Sequence, residues 1–356
     1  MTSIDYLMRN HLFYAIILLL WPLTGHAQIQ KLTGVVFDRA NQYPVPDVHV
    51  YLDGSSLYDV TDAEGRFEIA VPSVVDLPLV ISHVSYHTNI ISNPFASLPD
   101  TIIVEEKENL LGEITVRAGR YTRKQLMTAF RNEFLGSTSG GRSCIIENEP
   151  MIDLWYDSEK NILSANCDEP ILIHNRYLGY KIYLRLNKFE VEYPNRRLGV
   201  GLPVVLFVYS AYFEDLVPSN KRIADRRASI FEGSFRHFLL SLANNQLDEF
   251  DYSLYTNENR FHLLAADCFT VTDTMDVKKV VVAPRLWAGN RASYEGQPYY
   301  GRLNVNNRND PTELIFFRST FYINNLGCLT QPEDVLFKGY MGGLRIGDML
   351  PADYGF

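Results

Sequence analysis

The chain has 356 residues, 46% of them hydrophobic, 13% aromatic and 21% charged, with a formal net charge of -9. That length leaves room for two domains. The acidic balance excludes a protein that grips nucleic acid by its phosphates, which takes a basic field. It also works against holding to anionic lipid by charge alone. Tyr and Phe, 22 and 20 residues, supply most of the aromatic share. Such rings favour strands and also build binding surfaces.

Residues 1–27 read as a targeting segment. Arg9 and His11 give a short polar start, Leu12 to Leu20 is apolar, and Gly25-His26-Ala27 is a small-x-small cleavage site. The mature chain is therefore expected to begin at Gln28. The apolar run is short for a bilayer span, and an uncleaved anchor is the alternative reading. The expectation is an exported protein without a transmembrane helix in its mature chain. Its place is the periplasm, the outer membrane or the medium. Cys144, Cys167, Cys268 and Cys328 all lie in the exported part. Two readings stay open for them, disulfides in an oxidising compartment or buried free thiols. None has CxxC spacing, so neither a zinc cluster nor a redox motif is indicated.

From Leu32 the chain alternates strand-length apolar runs with turn chemistry. Leu32 to Val36 is β-prone, and Asp38 to Pro44 is polar. Val48-His49-Val50-Tyr51-Leu52 alternates as a half-buried strand does. Asp53-Gly54 and Thr61-Asp62-Ala63-Glu64-Gly65 are turns, since Gly tolerates positive φ and Asp bonds its own backbone. Arg66 to Val71, Leu77 to Ser82 and Thr101 to Val104 are further strands, with a loop at Asn93 to Asp100. Strands spaced in this way argue for a small β-sandwich.

The segments TGVVFD, PVPDVHVYLDG, TDAEGRFEI and ISHVSYHT, within residues 30–118, resemble the carboxypeptidase regulatory-like domain. The resemblance implies a seven-stranded, prealbumin-like sandwich that does not catalyse. Such domains are common in secreted Bacteroidetes proteins, including the N-terminal extension of SusC-type transporters. Ser85 stands where that family usually has Gly before Tyr86. Leu110 to Ala118 reads as the closing strand. In SusC-type proteins a similar segment leads into the transporter plug and can contact TonB, but no room remains here for a large barrel.

Tyr121 to Leu135 reads as a helix, with Leu126, Met127, Phe130, Phe134 and Leu135 on one face. Gly136 to Gly141 reads as a flexible connector; it lacks the Lys-Ser/Thr ending of a phosphate loop. Ile152 to Tyr156 and Ile162 to Ala165 form a hairpin, Ile171 to Ile173 a short strand, and Tyr180 to Tyr193 a long alternating one. Val204 to Phe213 is an apolar run suited to a central strand or an edge packed on both faces. One long amphipathic helix is expected next, capped by Asp225, with Phe231, Phe235, Phe238, Leu239, Leu242 and Leu247 along one side. Short strands follow to Tyr340, and Gly342 to Phe356 is a Gly-rich tail.

The segments GSTSGGRSCIIENE, LSANCDEPILIHNRYLGYKIYLRLNKFEV, GSFRHFLLSLANNQL and GLRIGDMLPADY are similar to a Bacteroidetes family that pairs a regulatory-like domain with a second, uncharacterised domain. The expected organisation is a signal peptide at 1–27, the sandwich at 28–118, a helix and linker at 119–143, and a β-rich α+β domain at 144–356. The fold class is mostly β, and the sandwich is read as a passive spacer.

No HExxH or H-x-x-E pair and no G-x-S-x-G elbow occurs, so zinc hydrolase and serine hydrolase readings find no support. His83 and His87, four apart, are two metal-ligand types without a third. Asp59, Asp62 and Glu64 lack EF-hand spacing and suit an ordinary turn. The binding candidates are Trp287, Tyr294, Tyr299 and Tyr300, with Asn290, Arg291 and Gln297 nearby. Flat rings stack on the C–H faces of a sugar, and amides and guanidinium serve its hydroxyls. No cofactor and no metal is expected. The expected function is a non-catalytic exported binding or scaffolding protein of the cell envelope, linked to glycan or nutrient uptake. Its partner would be an envelope protein or a glycan. A hydrolase on polysaccharide or peptidoglycan, working through the second domain, is the alternative, and a structural subunit is the third reading.

Overall fold

Seven strands open the chain: β1 (Gln30–Asp38), β2 (His49–Leu52), β3 (Tyr58–Val60), β4 (Arg66–Val71), β5 (Leu79–Ser82), β6 (Asn89–Ile91) and β7 (Thr101–Val104). The computed structural model describes residues 30–72, 75–107, 120–195, 197–201, 203–256, 262–274, 277–289, 291–307 and 310–355. The expected signal segment and the closing strand expected at Leu110 to Ala118 lie outside the described residues. One sheet runs β4-β1-β7 and the other β3-β2-β5-β6. Period-two alternation builds the core: Phe67, Ile69 and Val71 of β4 are buried, while Arg66, Glu68 and Ala70 are exposed. They meet Leu32, Val36, Val50, Leu52, Leu79 and Ile81.

The turn before β4 is held by its own side chains. Asp62 Oδ1 accepts from the N–H of Glu64 at 3.0 Å and of Arg66 at 2.8 Å. Thr61 Oγ1 accepts from Val48 N at 2.9 Å and donates to Val45 O at 2.8 Å. Gly65 ends the turn at φ +70, where an added Cβ would stand 2.7 Å from Val36 O. Gly65→Ala therefore combines backbone strain with a main-chain clash and is expected to lower stability by about 2 kcal/mol, read from the urea midpoint. Ser85 does not take a positive φ, so its position makes no demand for glycine.

The rest of the chain, the body, begins with α1 (Arg123–Phe134) and α2 (Ser139–Arg142). Then come β8 (Cys144–Ile146), β9 (Asp153–Asp157), β10 (Ile162–Asn166), β11 (Ile171–Asn175), β12 (Tyr180–Glu192) and β13 (Val204–Asp215). These strands form one sheet, β8-β11-β12-β10-β9, with β13 also paired to β12. Thr122 and Gln125 form a capping box at the start of α1, whose Leu126, Met127, Ala129, Phe130 and Phe134 are buried. Phe130 meets Phe189 of β12 edge-on at 4.9 Å. β13 is an edge strand packed on one face only in its first half. There Val204, Leu206 and Val208 are exposed, while Val205, Phe207 and Tyr209 pack on the core.

Two helices follow, α3 (Lys221–Phe231) and α4 (Phe235–Ala243), where a single long one was expected. Gly233 at φ +80 breaks the helix, and Ser234 caps the restart by accepting from His237 N. Asp225 lies inside α3, whose cap is Asn220. The chain continues through β14 (Ser253–Tyr255), α5 (Ala265–Cys268), β15 (Phe269–Thr274), β16 (Val277–Val282), β17 (Ser293–Tyr294) and β18 (Gln297–Pro298). It finishes with β19 (Gly301–Asn307), β20 (Asp310–Phe316), β21 (Thr320–Asn324), β22 (Val335–Gly339) and α6 (Tyr340–Gly343). The sheets β14-β19-β20-β22 and β15-β16-β21 share a second body core with α4. The fold is mostly β throughout.

The glycine run at 136–141 is packed, not a flexible connector. A Cβ on Gly140 would stand 2.2 Å from Gly347 O, so only glycine lets these two main chains cross. Thr138 Oγ1 adds a hydrogen bond of 2.7 Å to Asp348 Oδ1. The C-terminal tail is thereby drawn into the body. Leu326 of the body lies in the sandwich core, with Cys328 and Ala352 packed against it. The sandwich is thus joined to the body through its own core. All four cysteines are free thiols.

Candidate functional site

The junction is built from residues that point away from the two cores. Val50 and Leu52 face into the sandwich, so His49 and Tyr51 project from the other face of β2. On β12, Ile182, Leu184 and Leu186 face the body core, which turns Tyr183 and Arg185 outward. Tyr212 of β13 is the register partner of Tyr183, and Ser210 is that of Arg185. The two outward faces meet. Tyr183 and Tyr212 stack at 4.5 Å and 6° between planes, with Tyr58 4.4 Å and Tyr51 5.0 Å from Tyr212. The Tyr212 hydroxyl lies 2.7 Å from His49 Nδ1, and Tyr51 OH lies 3.0 Å from Ser210 Oγ.

The turn after β2 locks the joint. Gly54 N donates to Ala211 O at 2.7 Å, Ala211 N to Asp53 Oδ1 at 2.9 Å, and Phe213 N to Ser55 O at 2.9 Å. The tail closes the other side: Ala352 N donates to Gly54 O at 2.7 Å, and Ser56 N to Asp353 Oδ1 at 2.7 Å.

Beside the tyrosine stack lies a cavity of about 270 Å³. The sandwich contributes Asp47, His49, Tyr51 and His83 to it, with Val84 at the rim. The body contributes Tyr183, Arg185 and Tyr212, with Pro170 beside them. Neither half could form this wall alone. Arg185 Nη1 is buried and has no hydrogen-bond partner. Lys107 stands near enough that Arg185, after the effect of burial, holds its pKa down. Its Nζ donates to Val84 O at 2.9 Å. Burial pushes the pKa of His49 down, with the charge of His83 adding to this and Asp47 opposing it. Burial likewise lowers His83. Burial raises the Tyr51 phenol to about 12, and those of Tyr183 and Tyr212 also lie above the usual range. At neutral pH the walls are therefore largely neutral rings and imidazoles, with Arg185 as their basic group and Asp47 as their acidic one.

The imidazoles carry a pH signature. Both have folded pKa values below the unfolded one, so the unfolded chain takes up protons first. The stability they contribute is complete above the unfolded value of about 6.5 and is lost as pH falls through the lower folded values. Melting temperature is expected to drop on acidification from about pH 7 to 5, and His49→Gln should flatten that drop.

The aromatic loop proposed from sequence is organised differently. Trp287 is 53% exposed, whereas Tyr300 packs on the second body core. Tyr299 carries Arg302 over its ring at 4.6 Å and Tyr294 carries Lys338 at 4.9 Å, so cations already occupy a face of each. Asn290 lies outside the described residues. None of the four rings lines the junction cavity. His83 and His87 are separated by a turn, and His83 is grouped with His49 instead. Asp59 and Asp62 spend their carboxylates on main-chain N–H groups. Among the described residues no three His, Cys, Asp or Glu side chains gather as a metal site, and no helix is long and apolar enough to cross a membrane.

A wider groove of about 1020 Å³ runs between residues 92–96 and the β15–β16 hairpin, but its Lys278 and Asp273 are paired with each other. The junction cavity is the better site because its guanidinium is left with an unused donor. Sequence reading passed over Tyr51, Tyr183, Arg185 and Tyr212. The available signal was the size of Tyr51 and Tyr183, large rings on alternating strands at positions where a solvated face carries small or charged residues; Arg185 gave none.

Residues 32–116 match the family model described as the CarboxypepD_reg-like domain. The match spans the sandwich and leaves the body uncovered. A comparison with curated proteins finds no match.

Proposed function

We propose that the protein is a non-catalytic binding protein of the bacterial cell envelope, and that its ligand is a small molecule seated at the junction of sandwich and body. The observation that carries this reading is the cavity itself. It is lined by aromatic rings from both halves and holds a buried guanidinium donor without an acceptor. Concave, mostly apolar sites with a few placed polar groups are what small ligands occupy. The signal-like sequence of residues 1–27 and the likeness to regulatory-like domains of Bacteroidetes envelope proteins support the location, in the periplasm or at the outer membrane. The sandwich serves here as one wall of the seat and as a rigid mount for the body. A glycan on the exposed Trp287 is the second reading, supported by that exposure.

The test is a thermal-shift screen of small metabolites on the wild-type chain and on Val84→Trp. Val84 is 50% exposed at the rim, so the larger ring fills the cavity without entering either core. A ligand at a hundred times its Kd adds about 2.7 kcal/mol, a shift of several degrees. Compounds that raise the wild-type melting temperature and leave Val84→Trp unmoved are expected. A screen in which no compound separates the two chains contradicts the proposal.

A further inference from the structure

The structure assigns the junction cavity a ligand class: we infer that it takes a small organic carboxylate, its acid group on Arg185 and its apolar body against the junction tyrosines. This rests on reading the cavity as a ligand seat.

Three observations converge. The first is the orphaned donor. Arg185 lines the cavity, and its Nη1 is buried without a hydrogen-bond partner. A guanidinium offers donors in a flat fork, which a carboxylate meets with two parallel bonds. The second is charge. Lys107 and Arg185 lie close enough to repel, and an anion beside Arg185 relieves that repulsion. Of the acidic neighbours, Asp168 attracts Lys107, and Asp47, which lines the same cavity, acts on His49 and His83.

The third is the walls. Tyr183 and Tyr212 are stacked, and the hydroxyls of Tyr51 and Tyr212 are already paired with Ser210 and His49. What these rings present to a ligand is largely carbon. Inorganic phosphate would satisfy the cation and leave those walls unfilled, whereas a carboxylate on an aromatic or aliphatic body uses both. About 270 Å³ suits a body of one ring or a short chain.

The test is calorimetric titration of the purified chain with benzoate, phenylacetate and hexanoate, and with phenylacetamide and inorganic phosphate as contrasts. At least one acid is expected to bind. Where phenylacetate does, it should bind at least about tenfold tighter than its amide, and the bound acids should exceed phosphate. Arg185→Gln should weaken the acids at least about tenfold, with Arg185→Lys between. The acid–amide comparison uses the wild-type chain alone, so it does not depend on how the variants fold. Three results each overturn the inference: no acid binds, the amide or phosphate binds as tightly, or Arg185→Gln binds acids unchanged. Should one of these three results be found while a neutral compound shifts the wild-type chain and not Val84→Trp, the carboxylate falls and the seat survives. If no compound does so, both fall together.

Discussion

Arg236→Met is expected to destabilise the fold by about 3–5 kcal/mol and to release the C-terminal tail. Arg236 sits on α4, buried, with its guanidinium over the Phe231 ring at 5.1 Å. Nε donates to Leu326 O at 2.9 Å, Nη1 to Pro351 O at 2.7 Å, and Nη2 to Tyr354 O. One side chain thus serves three main-chain carbonyls from two separate segments. Met keeps much of the apolar stem and removes every donor, leaving those acceptors short inside the protein. The consequence reaches the junction, because the same tail carries Ala352 and Asp353 onto Gly54 and Ser56. Urea unfolding measures the loss. Hydrogen exchange at residues 352–355 should speed up well before global unfolding, and unchanged exchange there would refute the role given to Arg236.

The second large effect is expected at Asp215. Its carboxylate takes two bonds from Arg227, Nη1 to Oδ2 at 2.7 Å and Nη2 to Oδ1 at 2.8 Å. Arg227 is buried, donates from Nε to Leu178 O at 2.8 Å, and lies 3.9 Å from the Tyr180 ring centre. Asp215→Ala strands that cation and should cost about 3 kcal/mol, whereas Asp215→Ala with Arg227→Met should recover part of the loss. Burial raises the pKa of Asp215, but the Arg227 bonds and the Val217 N–H outweigh it and hold the carboxyl below its usual value. A depressed carboxyl contributes stability above its unfolded pKa and loses it as pH falls through the folded one. The wild-type advantage over Asp215→Ala should therefore shrink below about pH 4. A double variant no more stable than Asp215→Ala would show that no stranded charge is involved.

Much of the fold was legible because strands announce themselves by period. β4 and β7 fall where alternation puts them, and β12 runs along nearly the whole of the alternating stretch from Tyr180. The turn at Asp62 to Gly65 was legible through residues that form it with their own atoms. Long-range glycine contacts were not. Gly140 reads locally as a flexible linker, and only its crossing with Gly347 shows why it must be small. The break between α3 and α4 was missed because six apolar positions kept helical spacing across Gly233, whose φ of +80 no periodicity reveals. The candidate site was largely illegible. His49, Tyr51, Arg185 and Tyr212 come from strands far apart in sequence; the first three alone read as residues of half-buried strands, and Tyr212 as part of an apolar run. Their meeting depends on how the sandwich seats on β12 and β13.

That seating is most directly measured by calorimetric unfolding of the chain from Gln28 to Phe356. A sandwich and a body that share Leu326, the tyrosine stack and the Gly54 clamp should melt in one transition, with calorimetric and van't Hoff enthalpies equal. Two separable transitions, one of them unaltered by Tyr212→Ala, would mean that the sandwich stands apart and the junction cavity is no built site.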